Sequence, residues 1–287
     1  MSPSSHLDKV KKLRELTGVG FNDCNIAVKK CDGNIDKCIE YLRINGISIA
    51  SKKMERVANE GLVCIYEEDN KASILEINCE TDFVAKNVEF LNFSENLSKL
   101  CFKQKGNLNN LKKIKMKDGN SVDENVVRLI SKIGEKITIR RSNFLDYNNC
   151  MNFSYVHTSV KRNIGKLGVL ACIESKKFNK QIKDFGHKLA MHIAASNPLA
   201  VDVSQLDHKI LEKEKEIIIE ELKNSGKAAN IVEKISKGKL EKFKQENTLV
   251  DQIWIMDPKK KVKEIMIEMG EENKLVIKDF VRYKVGE

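Results

Sequence analysis

Histidines, cysteines and paired carboxylates are the groups through which this chain could do chemistry, and their spacing excludes most of it. The histidines are His6, His157, His187, His192 and His208. His187 and His192 sit five apart on one predicted helix, roughly 140° apart around its axis, so they share no face and form no metal pair. His157 follows Tyr155-Val156 at the end of a predicted strand. A hairpin tip there is a place where binding residues are carried, although a neutral role stays equally open. The cysteines contain no Cys-x-x-Cys. Most have apolar neighbours and read as small reduced core thiols, without metal-ligand spacing. No phosphate-cradling G-x-x-x-x-G-K-[ST] is present. Gly18-Val19-Gly20 begins like a dinucleotide fingerprint but lacks the third glycine and follows no strand. Glu67-Glu68 and Glu271-Glu272 lie in polar turns, with nothing to separate their proton affinities. With no nucleophile elbow or Cys-His signature either, the chain reads as a protein that is not an enzyme and holds no cofactor.

The most informative stretch is Glu76-Ile77-Asn78-Cys79-Glu80-Thr81-Asp82-Phe83-Val84-Ala85-Lys86-Asn87. A strand ends at Asn78 and a helix begins near Thr81. Thr81 can cap that helix, and Asp82 suits the positive end of its dipole. Phe83 then falls in the first turn. Two readings of it stay open: a staple into the core, or a side chain projecting from the helix end.

Those residues need a scaffold, and composition says there is one. The chain has 287 residues, 41% apolar and 32% charged, enough for a sizeable core. The formal net charge of +10 favours acidic partners. A basic RNA-binding protein is the alternative reading of that charge. Against it, the excess is spread out, and no aromatic pair has RNP-like spacing. No run approaches 18 apolar residues, so no membrane span is expected. The first thirty residues carry Asp8, Glu15 and Asp23 and no apolar stretch, so no leader is expected and a cytoplasmic location follows.

Leu7, Val10, Leu13 and Leu16 mark one helix, Ile26, Ala27 and Val28 a second, and Ile35, Cys38, Ile39 and Leu42 a third. Gly46 reads as its stop. The predicted organisation is therefore a three-helix domain over 1–46, a linker over 47–60, a core subdomain over 61–147 and a second over 148–287. Within the core, a strand hairpin near 61–78 precedes helices near 81–100 and 122–133 and a strand at 136–141. A second hairpin (152–158 with 167–174), a helix at 179–196 and a closing strand at 280–285 repeat that order. Residues 205–246 hold ten lysines against nine acids around two helical seams, which suits an exposed helical hairpin inserted in the second subdomain. The fold class is α+β, with antiparallel sheets backed by helices.

Leu13-Arg14-Glu15-Leu16-Thr17-Gly18-Val19-Gly20 with Asp23-Cys24, then Gly33-Asn34-Ile35-Asp36 and Tyr41-Leu42-Arg43, resembles the amino-terminal domain of the elongation factor Ts family. Glu76 to Asn87 with Phe90 is similar to that family's signature, and Lys132-Ile133-Gly134-Glu135, Tyr155-Val156-His157, Met191 to Ser196 and Gln252 match in order. The resemblance implies a guanine-nucleotide exchange factor for elongation factor Tu that binds no nucleotide itself; from composition, neither a membrane nor a specific nucleic acid is expected as a partner. It also implies a ubiquitin-associated-like amino-terminal domain and a two-subdomain core. By position, Asp82 and Phe83 would press into the partner's G domain and disturb the magnesium and phosphate end of its GDP site, with Thr81 a further partner-binding residue beside them. Ile133 and Gly134 would form a second contact and His157 a third. Leu13, Arg14, Thr17, Gly18 and Gly20 would supply an amino-terminal contact. The chain departs from the family at Gly226-Lys227-Ala228, at Gln252-Ile253-Trp254 and in extra residues at about 159–163.

Overall fold

The computed structural model describes residues 5–17, 19–223, 229–269 and 274–287. At its start, α1 (His6–Thr17), α2 (Phe21–Lys30) and α3 (Ile35–Lys53) share a core of Val10, Leu13, Cys24, Ala27, Val28, Cys38 and Leu42. Leu7 and Leu16 are exposed. A strict spacing of three drifts by about 60° per step around a 3.6-residue helix, so only the middle of that leucine series faces inward. The side chain of Asn34 caps α3 by accepting from the Lys37 N–H at 3.1 Å.

Helix α3 does not stop at Gly46. It continues to Lys53, so the first seven residues of the expected linker are helical. Tertiary packing overrides the glycine: a Cβ at Gly46 would lie 3.3 Å from Ser131 Oγ, and Arg43 pairs with Glu124 at 2.5 Å.

Strands β1 (Glu60–Glu68) and β2 (Lys71–Cys79) form the first hairpin, followed by α4 (Asp82–Ala85) and α5 (Val88–Lys103). The single helix expected over 81–100 is thus broken at Lys86-Asn87. The cause is Asn87, whose side chain accepts from the Glu89 N–H at 2.9 Å and starts a new helix. Next come α6 (Leu108–Lys113), α7 (Val122–Ile133) and β3 (Ile137–Leu145). Helix α7 opens with a reciprocal Ser121–Glu124 capping box and closes on Gly134 at φ 84°.

The second half contains β4 (Cys150–Lys161), β5 (Ile164–Glu174), α8 (Lys180–Ser196), α9 (His208–Lys223), α10 (Ala229–Asn247), α11 (Val262–Glu268) and β6 (Val276–Lys284). The sheets expected to be separate are one six-stranded antiparallel sheet, in the order β3-β2-β1-β5-β4, with β6 also on β5. One edge of β5 is divided: Ile164 and Gly165 pair with β1, and Leu167 to Glu174 pair with β6.

Alternation along the strands builds three cores. Leu62, Cys64, Leu75 and Ile77 face α5 through Phe90, Phe93 and Leu97. Leu167, Val169, Ala171 and Ile173 face α8 through Phe185, Leu189 and Ile193. Their opposite faces, including Val63, Ile65 and Ile74 against Leu170, Cys172 and Val281, meet in a third cluster between the halves. Buried Glu76 is held by Arg140 at 2.9 Å and Arg141 at 2.5 Å, and Arg141 lies over the Tyr283 ring of β6. All eight cysteines are free, and all but Cys31 are buried.

The helical hairpin leaves the core between Leu199 and Asn247, whose backbones are bonded at 2.9 Å. Ile218 and Leu222 are buried, and Lys239 pairs with Glu221 across the two helices at 2.9 Å. The expected tip, Ser225 to Ala228, lies outside the described residues. Because the seam is self-contained, deleting 208–244 behind a short glycine-serine linker is expected to leave the rest folded. One cooperative melt with wild-type strand content by circular dichroism is the expected result; a molten product would show that the hairpin helps to hold the core.

Candidate partner-binding site

Thr81 caps α4, its Oγ accepting from the Val84 N–H at 3.4 Å. Helix α4 has only four residues, far too few to be stable by itself, so its anchors decide where it points. Val84 and Ala85 are buried beneath it, whereas Phe83 is 80% exposed. The staple reading of Phe83 is therefore overturned: Val84 and Ala85 do the packing. Asp82 is paired with Lys86 at 2.7 Å, and the Lys86 hydrogen bond holds its carboxyl below the usual range.

The turn before α4 is bonded to the turn after α7. The Thr81 N–H donates to Glu135 Oε2 at 3.0 Å, and its hydroxyl donates to Glu135 Oε1 at 2.8 Å. In the opposite sense, the Lys136 N–H donates to Glu80 Oε1 at 2.6 Å and holds that carboxyl below its usual range. Arg56 adds a 3.2 Å contact to Glu80, and Lys53, at the end of α3, donates to the Gly134 carbonyl. Lys136 Nζ reaches the Met54 and Arg56 carbonyls, both at 2.7 Å. Burial pushes the neighbouring Cys79 thiol up to about 12, so it stays protonated.

These bonds bring Thr81, Asp82 and Phe83 together with Ile133 and Gly134. Ile133 packs half-buried against the first core, while Gly134 turns the chain. His157 is exposed but is not at a hairpin tip. Strand β4 runs on to Lys161, and His157 lies opposite Leu167, beside a bulge at Ser159 to Lys161. Its Nδ1 is 3.0 Å from Tyr155 Oη. Among the described residues, no hydrogen bond or ion pair ties it to the Phe83 or Gly134 segments.

Of the amino-terminal residues, Leu13 is fully buried, so its side chain offers a partner no surface. Arg14 and Gly20 are exposed, and Thr17 is half-buried, its hydroxyl donating to the Leu13 carbonyl at 2.7 Å. Gly18 lies outside the described residues.

A sequence profile of the family described as Elongation factor TS matches residues 80–287, more than half of the chain. The chain belongs to the elongation factor Ts family. It is 36% identical over 278 residues to "Elongation factor Ts" of Gluconobacter oxydans, an alignment covering 97% of this chain and 91% of that protein. The protein of the same name from Rickettsia akari is 37% identical over 283 residues, with the same coverage. Membership of the elongation factor Ts family gives the chain a role in translation elongation. No described helix is long and apolar enough to cross a membrane.

The elongation factor Ts signature was legible in the sequence, but the bonds that hold it were not. Glu80, Glu135 and Lys53 reach partners 54 to 81 residues away. No local pattern carries such pairings. The one available signal was the position of Glu135 between the end of a predicted helix at 133 and the start of a predicted strand at 136.

Proposed function

We infer that this protein is a guanine-nucleotide exchange factor: it binds elongation factor Tu carrying GDP and promotes release of the nucleotide. The observation that carries the reading is the exposed Phe83, presented on a four-residue helix whose preceding turn is bonded to Glu135, the residue after Ile133-Gly134. In this reading Phe83 enters the partner's G domain, with Asp82 and Thr81 beside it. Gly134 and half-buried Ile133 form the adjoining contact, and Arg14, Thr17, Gly18 and Gly20 with α1 provide an amino-terminal one. His157 is assigned a separate contact from β4. The factor performs no chemical step. It accelerates release only because these contacts are stronger when the nucleotide has left than when it is bound.

The organisation that goes with this reading is an amino-terminal helical unit joined to a two-part core, with the hairpin as an insertion. The test is release of labelled GDP from purified elongation factor Tu, with and without the protein. Catalytic amounts are expected to accelerate release, and unchanged release would sink the reading.

Charge makes a second prediction. The +10 excess is expected to steer the protein towards an acidic partner surface, so the association rate should fall as salt rises. Stopped-flow association between 50 and 500 mM salt checks this. A flat profile removes steering and leaves the exchange activity standing.

A further inference from the structure

An 80% exposed phenylalanine on a four-residue helix raises the question of what aims it. Helix propensity cannot, because one turn costs more order than its few hydrogen bonds return. Burial of Val84 and Ala85 seats the end of the helix, and its start is held through Thr81. The remaining anchor is Thr81: its carbonyl accepts from the Cys79 thiol at 3.1 Å, and both of its donors go to the Glu135 carboxylate.

Glu135 takes both donors of that residue, the backbone N–H at 3.0 Å and the hydroxyl at 2.8 Å. The hydroxyl thereby donates to Glu135 while accepting from Val84, using both of its capacities. Glu135 is itself well fixed. It follows the left-handed Gly134, whose carbonyl accepts from Lys53, and it precedes Lys136, whose N–H is held by Glu80. One residue on, Ile137 pairs with Cys79 at the end of the β2–β3 ladder. Two adjoining turns therefore exchange carboxylates: Glu135 binds the backbone of the first and Glu80 that of the second. Charge-assisted bonds of this kind are shorter and stronger than neutral ones, and two to one residue fix direction as well as distance.

We propose that Glu135 is a positioning residue for nucleotide release: by gripping Thr81 it holds Phe83 in fixed register with Ile133 and Gly134. This rests on the exchange reading above. Glu135 acts through Thr81 and the start of α4 on Phe83, and both contact segments then move as one rigid piece.

The test is a double-mutant cycle in the full-length protein, read by GDP release from elongation factor Tu over a range of factor concentrations. Glu135→Ala loses both bonds. Glu135→Gln keeps one carbonyl acceptor but turns an amide donor towards a donor. Glu135→Ala is expected to lower the maximal release rate about tenfold, and Glu135→Gln by less, while the half-saturating concentration moves less than about threefold. Adding Glu135→Ala to Phe83→Ala should slow release no further, because the residue it positions is gone. Losses that multiply in the double variant overturn the proposal. So does a rate loss in both Glu135 variants that merely tracks loss of folded protein, measured by thermal melting on the same samples. Slow release by Phe83→Ala with normal release by folded Glu135→Gln and Glu135→Ala overturns the positioning role alone. Normal release by folded Phe83→Ala removes the exchange reading of Phe83, and this proposal with it.

Discussion

Phe83→Ala is expected to slow catalysed GDP release by about 10-fold to 100-fold and to leave the melting temperature within about 2 °C of wild type. The two halves of that expectation have separate causes. Phe83 is 80% exposed in the free protein, so removing its ring opens no cavity and costs the fold little. Inserted into a partner, the same ring would bury area worth about 1.5–3 kcal/mol. If most of that energy is gained only after nucleotide has left, each 1.4 kcal/mol or so is worth about a factor of ten in rate. Asp82→Ala should have a smaller effect. Asp82 already has Lys86 as a partner at 2.7 Å, and a solvent-exposed contact to another protein would have to compete with it. GDP release and thermal melting on one Phe83→Ala sample decide the matter; normal release by a folded protein refutes the insertion of Phe83 into the partner's G domain.

The largest effect on stability is expected at Gly61, the second residue of β1. It lies opposite Asn78 with φ at +146°, a conformation that side chains rarely adopt. An added Cβ would sit 2.1 Å from the Ile77 carbonyl oxygen and 2.7 Å from Asn78 Cα, both backbone atoms. Neither can swing aside as a flexible side chain would. Gly61→Ala must therefore push the two strands apart or re-register them, at a cost of about 3 kcal/mol or more. For a chain of this size that lowers the melting temperature by on the order of 10 °C. Exchange should fall as well, because β2 runs from Asn78 straight into Cys79, Glu80 and Thr81. A melting temperature unchanged by Gly61→Ala would mean that the β1–β2 register can relax without cost.

Elements with complete local signals were legible. Helix α7 was readable over Val122–Ile133, and the structure closes it on the left-handed Gly134 directly after that span. Helix α8 follows Asn179, whose side chain accepts from the Ile182 N–H at 2.9 Å. Where two signals competed, the weaker reading failed. Gly46 looked like a stop, yet the packing of α3 on α7 carries the helix on to Lys53. Asn87 looked like an ordinary helical residue and is a cap. Helix α11 escaped notice because only Val262 is buried in it and its period is too short to register. The joining of the sheets through β1 and β5 escaped for a different reason, since it rests on two residue pairs about a hundred positions apart. The site divides in the same way. Thr81 was recognisable as a cap from its own neighbours, and Glu135 was not recognisable as its holder from anything nearby.

The divided edge of β5 has a consequence for how the chain comes into being. Strand β5 takes β4 as a neighbour almost as soon as both exist, but most of its other edge waits for β6, which is made more than a hundred residues later. At about 5–20 residues per second that wait lasts several seconds or longer. During it, Leu167 to Glu174 present unpaired N–H and C=O groups to any passing strand. A protein with a role in translation elongation is thus most exposed to misassembly while it is itself a nascent chain. The speed at which the stretch from β5 to β6 is translated then becomes part of its folding mechanism.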